Sequence, residues 1–372
     1  MGQMLKPLMD ITQDDLQVEL DSYTPGKGLA WSVLFPLRFT PKFDIKGIQG
    51  EEGIPVSADR VAFNTRAPKK KRKTVGSWDG KLGKIAISRD KDELAINEYN
   101  DLKTLSASNT QDKATAEYLV DLVYDDVKFC SNGMDYRVEV DALRIGSSGK
   151  QVLTTKIDGD MATSDEINFN VPEENFGGVT AKWDNAETAD GLADIAAGQK
   201  KASKKGSKKP MWAIMSEEAF EKLCAQKSTL KKVASAALNI TDLATSDNVS
   251  LESINAYQRK FGRPQIIVID SYVTIEDKDG NQETIQPWNS NVCVLSPEPR
   301  LGYTWYKPVP QVQGTEAIQS YGAYYKITRY SDVNPMVETT LAEAYVQPGL
   351  SNRASLVFIN TMKAGTWNEG NA

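Results

Sequence analysis

Two short segments contain residue types that could bind a phosphate or a cation, and neither completes the motif it resembles. Residues 76–82 are similar to a phosphate-binding loop, but three residues separate the glycines where four are needed, and Leu82 replaces the magnesium-binding serine or threonine. Around Asp279-Gly280 the sequence resembles a calcium loop, but Ile275 and Gln286 occupy the positions of the first ligand and the closing glutamate. Asp-Gly instead favours a β-hairpin, because it tolerates the positive φ angles of a tight turn.

Histidine is absent from all 372 residues. This excludes Ser-His-Asp and Cys-His nucleophiles, histidine-ligated zinc and imidazole acid–base chemistry near neutral pH. No glycine-rich dinucleotide fingerprint follows a predicted strand, and no local pattern indicates the pair of carboxylates that a hydrolase would need. We therefore predict no catalytic, cofactor-binding or metal-binding residues and expect that the chain is not an enzyme.

The overall charge argues against a dedicated nucleic-acid-binding protein. Lys and Arg total 44 against 50 Asp and Glu, a formal net charge of −6, whereas such proteins carry a basic surplus that neutralises phosphates. Cys130, Cys224 and Cys293 lack CxxC spacing, which indicates buried, reduced thiols in a cytoplasmic product. Residues 1–10 are too polar for a signal peptide, and no apolar run approaches a membrane span.

One basic run is the sharpest local signal, and it consists of Lys69, Lys70, Lys71, Arg72 and Lys73. Its composition matches a nuclear-localisation signal or a nucleic-acid patch, which predicts tight, salt-dependent DNA binding. The alternative is the charged tip of a long hairpin that meets an acidic surface on a neighbouring molecule. The second interpretation is favoured, because the chain is acidic and has no other nucleic-acid signature.

The elements that must position this run begin with a long polar ribbon. Residues 38–84 predict two strands that are polar on both faces, and such a ribbon alone is marginally stable in water. Ser88 is predicted to cap a helix, and a second helix is predicted to follow Asp112 and to end at Gly133, before a strand at 137–140. The lysine-rich residues 198–210 predict a solvated loop.

The second half of the chain predicts an α/β unit followed by β segments. Ser216 and Ser250 are predicted helix N-caps. The predicted strands are 211–215, 265–270, 291–295, 324–330, 337–345 and 354–359, with a hairpin at Asp279-Gly280.

Four passages in order resemble one protein family. They lie at 138–152, 169–184, 212–220 and 265–296, and they are similar to passages of the lambda-like capsid protein E family of tailed phages. The resemblance implies an α+β fold of the Hong Kong 97 type. It implies an N-terminal arm at 1–35, an E-loop β-hairpin at 36–86, a peripheral domain with a spine helix at 87–175, an axial domain at 176–323 and a C-terminal return to the peripheral domain at 324–372.

The same resemblance implies a function. The chain would be a major capsid protein that self-assembles into hexamers and pentamers of an icosahedral or prolate phage head enclosing double-stranded DNA, without sequence-specific binding and without a membrane. The N-terminal arm and the basic tip, Lys69 to Lys73, would lie against the next subunit. The resemblance also implies a separate scaffold, a portal and, in some shells, decoration proteins, with assembly in the host bacterial cytoplasm.

Overall fold

The computed structural model describes residues 4–46, 79–108, 113–157, 160–205, 207–238, 249–276 and 279–364. The helices of these residues are α1 (Gln13–Ser22), α2 (Trp31–Leu34), α3 (Glu93–Ser108), α4 (Lys113–Ser148), α5 (Gly191–Lys204), α6 (Glu217–Ala225), α7 (Lys227–Leu238) and α8 (Leu251–Lys260). The strands are β1 (Leu37–Phe39), β2 (Asp44–Lys46), β3 (Asp79–Lys81), β4 (Gly83–Lys91), β5 (Lys150–Ile157), β6 (Asp160–Asn168), β7 (Phe176–Val179), β8 (Trp212–Ser216), β9 (Gln265–Ile269), β10 (Val273–Glu276), β11 (Gln282–Ile285), β12 (Val292–Ser296), β13 (Gly302–Lys307), β14 (Ile318–Tyr321), β15 (Lys326–Val333), β16 (Met336–Leu350) and β17 (Val357–Ala364).

The first sheet is organised around the long strand β16. Its strand order is β1-β13-β16-β15-β14, and β4 also pairs with β16. The N-terminal part of β16 lies between β15 and β4, whereas its C-terminal part pairs with β13. This arrangement is possible because a strand can bond to a neighbour on each side, and β16 changes one neighbour along its length.

The second sheet has the order β7-β17-β12-β8-β9 and separates two hydrophobic cores. Val292 and Val294 of β12 face the core that contains α4, whereas Cys293 and Leu295 face the core formed with α5, α6, α7 and α8. Successive side chains of a strand point to opposite faces. Because both faces are buried, these strands are continuously apolar in sequence instead of alternating.

Helix α4 is a single uninterrupted helix, about 54 Å long at the usual rise per residue. The predicted end at Gly133 and the predicted strand at 137–140 are therefore wrong. A Cβ atom on Gly133 would lie 2.6 Å from Cδ1 of Ile87, so the glycine serves the close approach of α4 to β4. Met134 and Val138 are buried one helical turn apart, so the apolar residues of this region follow a helical period.

Two further boundaries differ from the predictions. Ser88 does not cap a helix, because it lies in β4 opposite Leu341, and the backbone amide of Ala95 in α3 instead donates to Asp92 over 3.0 Å. Residues 198–204, predicted as loop, are the last turns of α5. A Cβ on Gly198 would lie 2.7 Å from Leu295 Cδ1, so this part of α5 is pressed against the second sheet.

Other local predictions are confirmed. The hydroxyl of Ser216 accepts from the amide of Ala219 over 3.2 Å, and Ser250 does the same for Ser253 at the start of α8. Strands β10 and β11 form the expected hairpin, with Gly280 at φ +80°.

The two sheets do not divide the chain at residue 323, the expected boundary between the axial domain and the C-terminal return. Strands β13 and β14 precede this residue and belong to the first sheet, whereas β17 follows it and belongs to the second sheet.

Candidate assembly surfaces

The N-terminal residues from 4 to 22 dock on their own subunit. Thr12 caps α1 through a reciprocal capping box with Asp15, and this fixes the start of the helix. Leu16 and Leu20, one turn apart, are buried. Upstream of α1, Leu5 and Ser331 exchange two backbone hydrogen bonds of 3.2 Å, so the arm adds a short bridge to β15. Residues 4–22 thus lie on their own chain, and their contact with a neighbouring subunit stays a prediction.

A buried ion pair anchors this arm to the first sheet. Arg329 of β15 and Glu338 of β16 are 0% and 1% exposed, and the guanidinium contacts Oε1 of Glu338. The other carboxylate oxygen, Oε2, accepts from the backbone amides of Leu8 and Met9, each over 2.8 Å. Arg329 also donates to the carbonyl of Val123 in α4 over 3.1 Å. One carboxylate thus links the arm, the sheet and, through Arg329, the long helix.

Two buried carboxylates of α4 hold the chain that follows the arm. Asp135 accepts hydrogen bonds from the Tyr23 hydroxyl, the Gly26 amide and the Tyr324 hydroxyl, at 2.8, 2.6 and 2.7 Å. Burial raises the pKa of Asp135, and these three donors oppose that shift.

Glu139 lies one turn farther along α4 and holds the start of α2. Its Oε1 and Oε2 atoms accept from the amides of Ala30 and Trp31, at 3.1 and 2.7 Å. The carboxylate therefore satisfies amides that the first turn of a helix leaves unpaired. The chain from the arm to α2 is fixed on the long helix through buried polar contacts.

The root of the predicted E-loop is a two-stranded ribbon. Strand β2 pairs with β3, and this pairing places Lys46 opposite Asp79. The ribbon is fastened by the buried Ile45 and by Phe43, whose ring packs edge-on to Tyr345 with centroids 5.0 Å apart. The basic run Lys69 to Lys73 lies outside the described residues, so its position relative to this root is not part of the structure.

Exposed apolar side chains follow the outer surface of α3 and α4. They are Leu94, Leu105, Tyr118, Val120, Phe129 and Tyr136. Leu94 is 77% exposed, and the Arg89 guanidinium lies 4.7 Å from the centroid of Phe129. Aromatic residues and arginine are enriched in the centres of protein–protein interfaces, so this outer surface is a candidate contact between subunits.

A second aromatic surface lies on β1 and β13. The guanidinium of Arg38 stands 4.8 Å from the ring of Tyr303 and 4.6 Å from that of Trp305, and Arg300 covers Tyr303 at 4.4 Å. These cation–π contacts arrange the rings and arginines in one ladder. Arg38 is exposed and the other three side chains are half-buried, so they offer planar, charged surface at one edge of the first sheet.

Sequence reasoning found none of the arm's anchors, although one signal was present. Arg329 lies two residues from the buried Ile327, and Glu338 lies four residues from the buried Ala342, so each charged residue occupies an inward position of its strand. Because β15 and β16 are antiparallel and joined by a tight turn, the two residues become diagonal neighbours on one face. Oppositely charged residues at inward positions of the two strands of a hairpin therefore predict a buried ion pair.

Clusters of metal-ligating side chains and membrane-spanning helices are absent from the described part of the chain. It contains no group of three or more cysteine, aspartate or glutamate side chains arranged to hold a metal. No helix in it has the length and apolarity to cross a membrane. Cys130 and Cys293 are buried and form no disulfide, as expected, whereas Cys224 is half-buried. Burial raises the pKa of Cys130 to about 12 and that of Cys224 to about 11, which disfavours the reactive thiolate.

Comparisons with known proteins identify relatives of this architecture. The sequence model of the phage major capsid protein E family matches residues 59–360. No curated protein matches the chain. The solved structure of a prophage protein from Escherichia coli CFT073, assigned as its capsid protein, is 15% identical with a TM-score of 0.57, covering 95% of this chain and 99% of that one. A phage-related protein from Bordetella bronchiseptica RB50 is 12% identical with a TM-score of 0.53, covering 97% and 98%. At these identities the two structures demonstrate a shared fold.

Proposed function

Because the chain belongs to the phage major capsid protein E family, we propose that the shell it forms is built from rings of six and five copies and encloses double-stranded DNA. Its fold is the α+β fold of Hong Kong 97-type capsid proteins, and the chain is a capsid-forming structural protein of the virion shell. The alternative of a nucleic-acid-binding or nuclear-targeted protein that uses residues 69–73 is not supported. Head-to-tail contacts between identical subunits generate rings when their rotation closes.

The observation that best supports the proposed rings is the pairing of β2 with β3. Since Lys46 lies opposite Asp79, the two residues that flank the segment 47–78 lie side by side. This is the connection that an E-loop requires. In the proposal, the basic tip Lys69 to Lys73 lies on an acidic surface of the neighbouring subunit, which explains how a polar ribbon is stabilised.

The two cores supply the remaining domains of the proposal. The second sheet with α5, α6, α7 and α8 forms the axial domain, which meets its copies around the ring axis. The first sheet with α4 forms the peripheral domain. Strand β17 follows β16 of the first sheet and lies between β7 and β12 of the second sheet, so the two domains are joined by several chain crossings.

The net negative charge of the chain is compatible with a shell that encloses DNA. A wall with a basic surplus would bind phosphates and hold the incoming genome, whereas a net charge of −6 leaves DNA free to slide. The partners of this proposal are a separate scaffold, a portal and, in some shells, decoration proteins, with assembly in the host bacterial cytoplasm.

Replacement of Lys69, Lys70, Lys71, Arg72 and Lys73 by serine tests the proposed contact. We expect a folded subunit with unchanged thermal melting and a large loss of closed shells, because the tip loses its attraction to the neighbouring acidic surface. Electron microscopy and sedimentation of the assembled fraction measure this loss.

A charge-preserving variant provides the control. Arginine at all five positions keeps the attraction and should assemble normally. Normal shell yield from the serine variant, with normal melting, would contradict the proposed role of the tip. A subunit that remains monomeric in every condition, including with a scaffold, would contradict shell formation itself.

A further inference from the structure

A cationic cavity of about 440 Å³ opens where the C-terminal ends of α5 and α8 meet. Lys200 and Lys204 line it from α5, Lys209 lines it from the segment before β8, and Arg263 lines it from the turn after α8. No acidic residue belongs to the described lining. The volume lies within the usual range of small-molecule sites, about 300–1,000 Å³.

The floor of this cavity is fixed by a buried amide. The Nε2 atom of Gln199 donates to the carbonyl oxygens of Pro210 and Gly262, at 2.7 and 3.3 Å. It thereby joins α5, the lysine-rich segment and the end of α8. Arg263 donates from Nη1 to the Tyr257 hydroxyl over 3.3 Å. The Nζ atom of Lys209 lies 3.8 Å from the position that a Cβ on Gly262 would take, so this ammonium stands over the floor.

The charges of the cavity are not balanced by the protein. Neighbouring Lys205 and Lys208 have carboxylate partners, Glu174 at 3.0 Å and Glu298 at 3.9 Å. The three cavity lysines and Arg263 have no carboxylate within 4.0 Å among the described residues. The carbonyl ends of α5 and α8 contribute about half a negative charge each. Of the four positive charges, about three therefore remain for a ligand.

An exposed aromatic ring completes the wall. Phe261 is 54% exposed, and its centroid lies 4.9 Å from that of Tyr257 and 5.4 Å from the guanidinium of Arg263. A ring beside clustered cations matches a ligand that combines several phosphates with a planar base, since bases stack on aromatic side chains. We propose that this cavity binds a small polyphosphate anion and takes a nucleoside triphosphate in preference to an inorganic polyphosphate. This ligand site goes beyond the role of the chain in building a shell.

Calorimetric titration of the intact protein with ATP, inorganic tripolyphosphate and orthophosphate tests the proposal. At about 0.15 M ionic strength we expect saturable binding in the order ATP, tripolyphosphate, orthophosphate. The K200S/K209S variant should bind ATP at least about tenfold more weakly, because it loses two charge-assisted contacts. The K201S/K208S variant changes the net charge equally but spares the cavity, so its affinity should fall by less than about threefold. F261A should weaken ATP binding and leave tripolyphosphate binding unchanged.

Several results would overturn the proposal. They are the absence of saturable binding of both ATP and tripolyphosphate, equal losses in the two lysine variants, or binding of duplex DNA without binding of either small anion. An equal effect of F261A on ATP and tripolyphosphate would overturn the preference for a nucleoside. Circular dichroism and thermal melting establish that each variant is folded, and none of these readouts depends on shell formation.

Discussion

Removal of the Glu338 carboxylate should release the N-terminal arm from the first sheet. In Glu338→Ala, the guanidinium of Arg329 stays buried without its counter-charge, which costs about 3–5 kcal/mol. The amides of Leu8 and Met9 also lose their acceptor, at about 1–3 kcal/mol each when they remain buried. The arm can instead detach and let water reach these groups. The free energy of unfolding should therefore fall by about 5 kcal/mol or less, with local detachment of the arm.

Two further variants separate the charge from the amide contacts. Glu338→Gln keeps a carbonyl oxygen for the two amides, so we expect a loss of about 3 kcal/mol that arises mainly from the unpaired Arg329. The double variant E338Q/R329M removes both charges, and it should recover to within about 1–2 kcal/mol of the unmodified protein. Asp332→Ala, an exposed change on the same hairpin, should alter stability by less than about 0.5 kcal/mol.

Urea denaturation and limited proteolysis measure these effects. Cleavage within residues 4–22 should become fast in Glu338→Ala and remain slow in the double variant and in Asp332→Ala. The reasoning is refuted if Glu338→Ala keeps the arm protected and lowers stability no more than Asp332→Ala does. It is refuted equally if E338Q/R329M is as unstable as Glu338→Gln, because the cost would then not come from the unpaired charge.

Two other changes test the long helix. Gly133→Ala should stabilise the protein by less than the roughly 1 kcal/mol that helix propensity offers, because its Cβ meets Cδ1 of Ile87 and the end of this flexible side chain must move aside. The gain should be larger in the I87V background, which lacks that methyl group, and equal gains in urea denaturation with and without I87V would contradict the contact. Asp135 has a raised pKa, so between its ordinary value of 3.8 and the raised value the folded state holds a proton that the unfolded state has lost, and stability falls as pH rises through this window. Asp135→Asn does not titrate, so its stability deficit should be largest near pH 4 and should narrow toward about pH 7; a deficit that widens with pH would contradict the raised pKa.

The local predictions that held depend on short-range contacts. Ser216 and Ser250 were recognised as caps because an N-cap hydroxyl bonds an amide only three residues away. The Asp279-Gly280 turn was recognised for the same reason, since its strands follow directly on each side. In each case the residues that decide the structure are neighbours in the sequence.

The predictions that failed concern residues whose partners are distant. Gly133 is a residue type that often ends a helix, but here it lies inside α4, where Ile87 of β4 packs closely against it. Ser88 and the acidic residues after it are typical of a helix N-terminus, but the hydrogen-bonded pairing of β4 with β16 keeps Ser88 extended. Local propensities amount to a fraction of a kcal/mol per residue, so a tertiary ladder or a packed crossing overrides them.

The sequence by itself determined the helix caps at Ser216 and Ser250, the hairpin at Asp279-Gly280, the absence of histidine and the family to which the chain belongs. These properties can be predicted from the sequence because each depends on residue types or on residues that are neighbours in the chain. Tertiary structure alone decided that the N-terminal residues 4–22 dock on their own subunit, since Glu338 reaches the amides of Leu8 and Met9 only after β15 and β16 have paired. It also gathered the cations around Gln199, because residues from α5, the lysine-rich segment and the end of α8 meet only when these elements pack. Long-range electrostatic and hydrogen-bond partners are set by the packed chain, and no local pattern contains them.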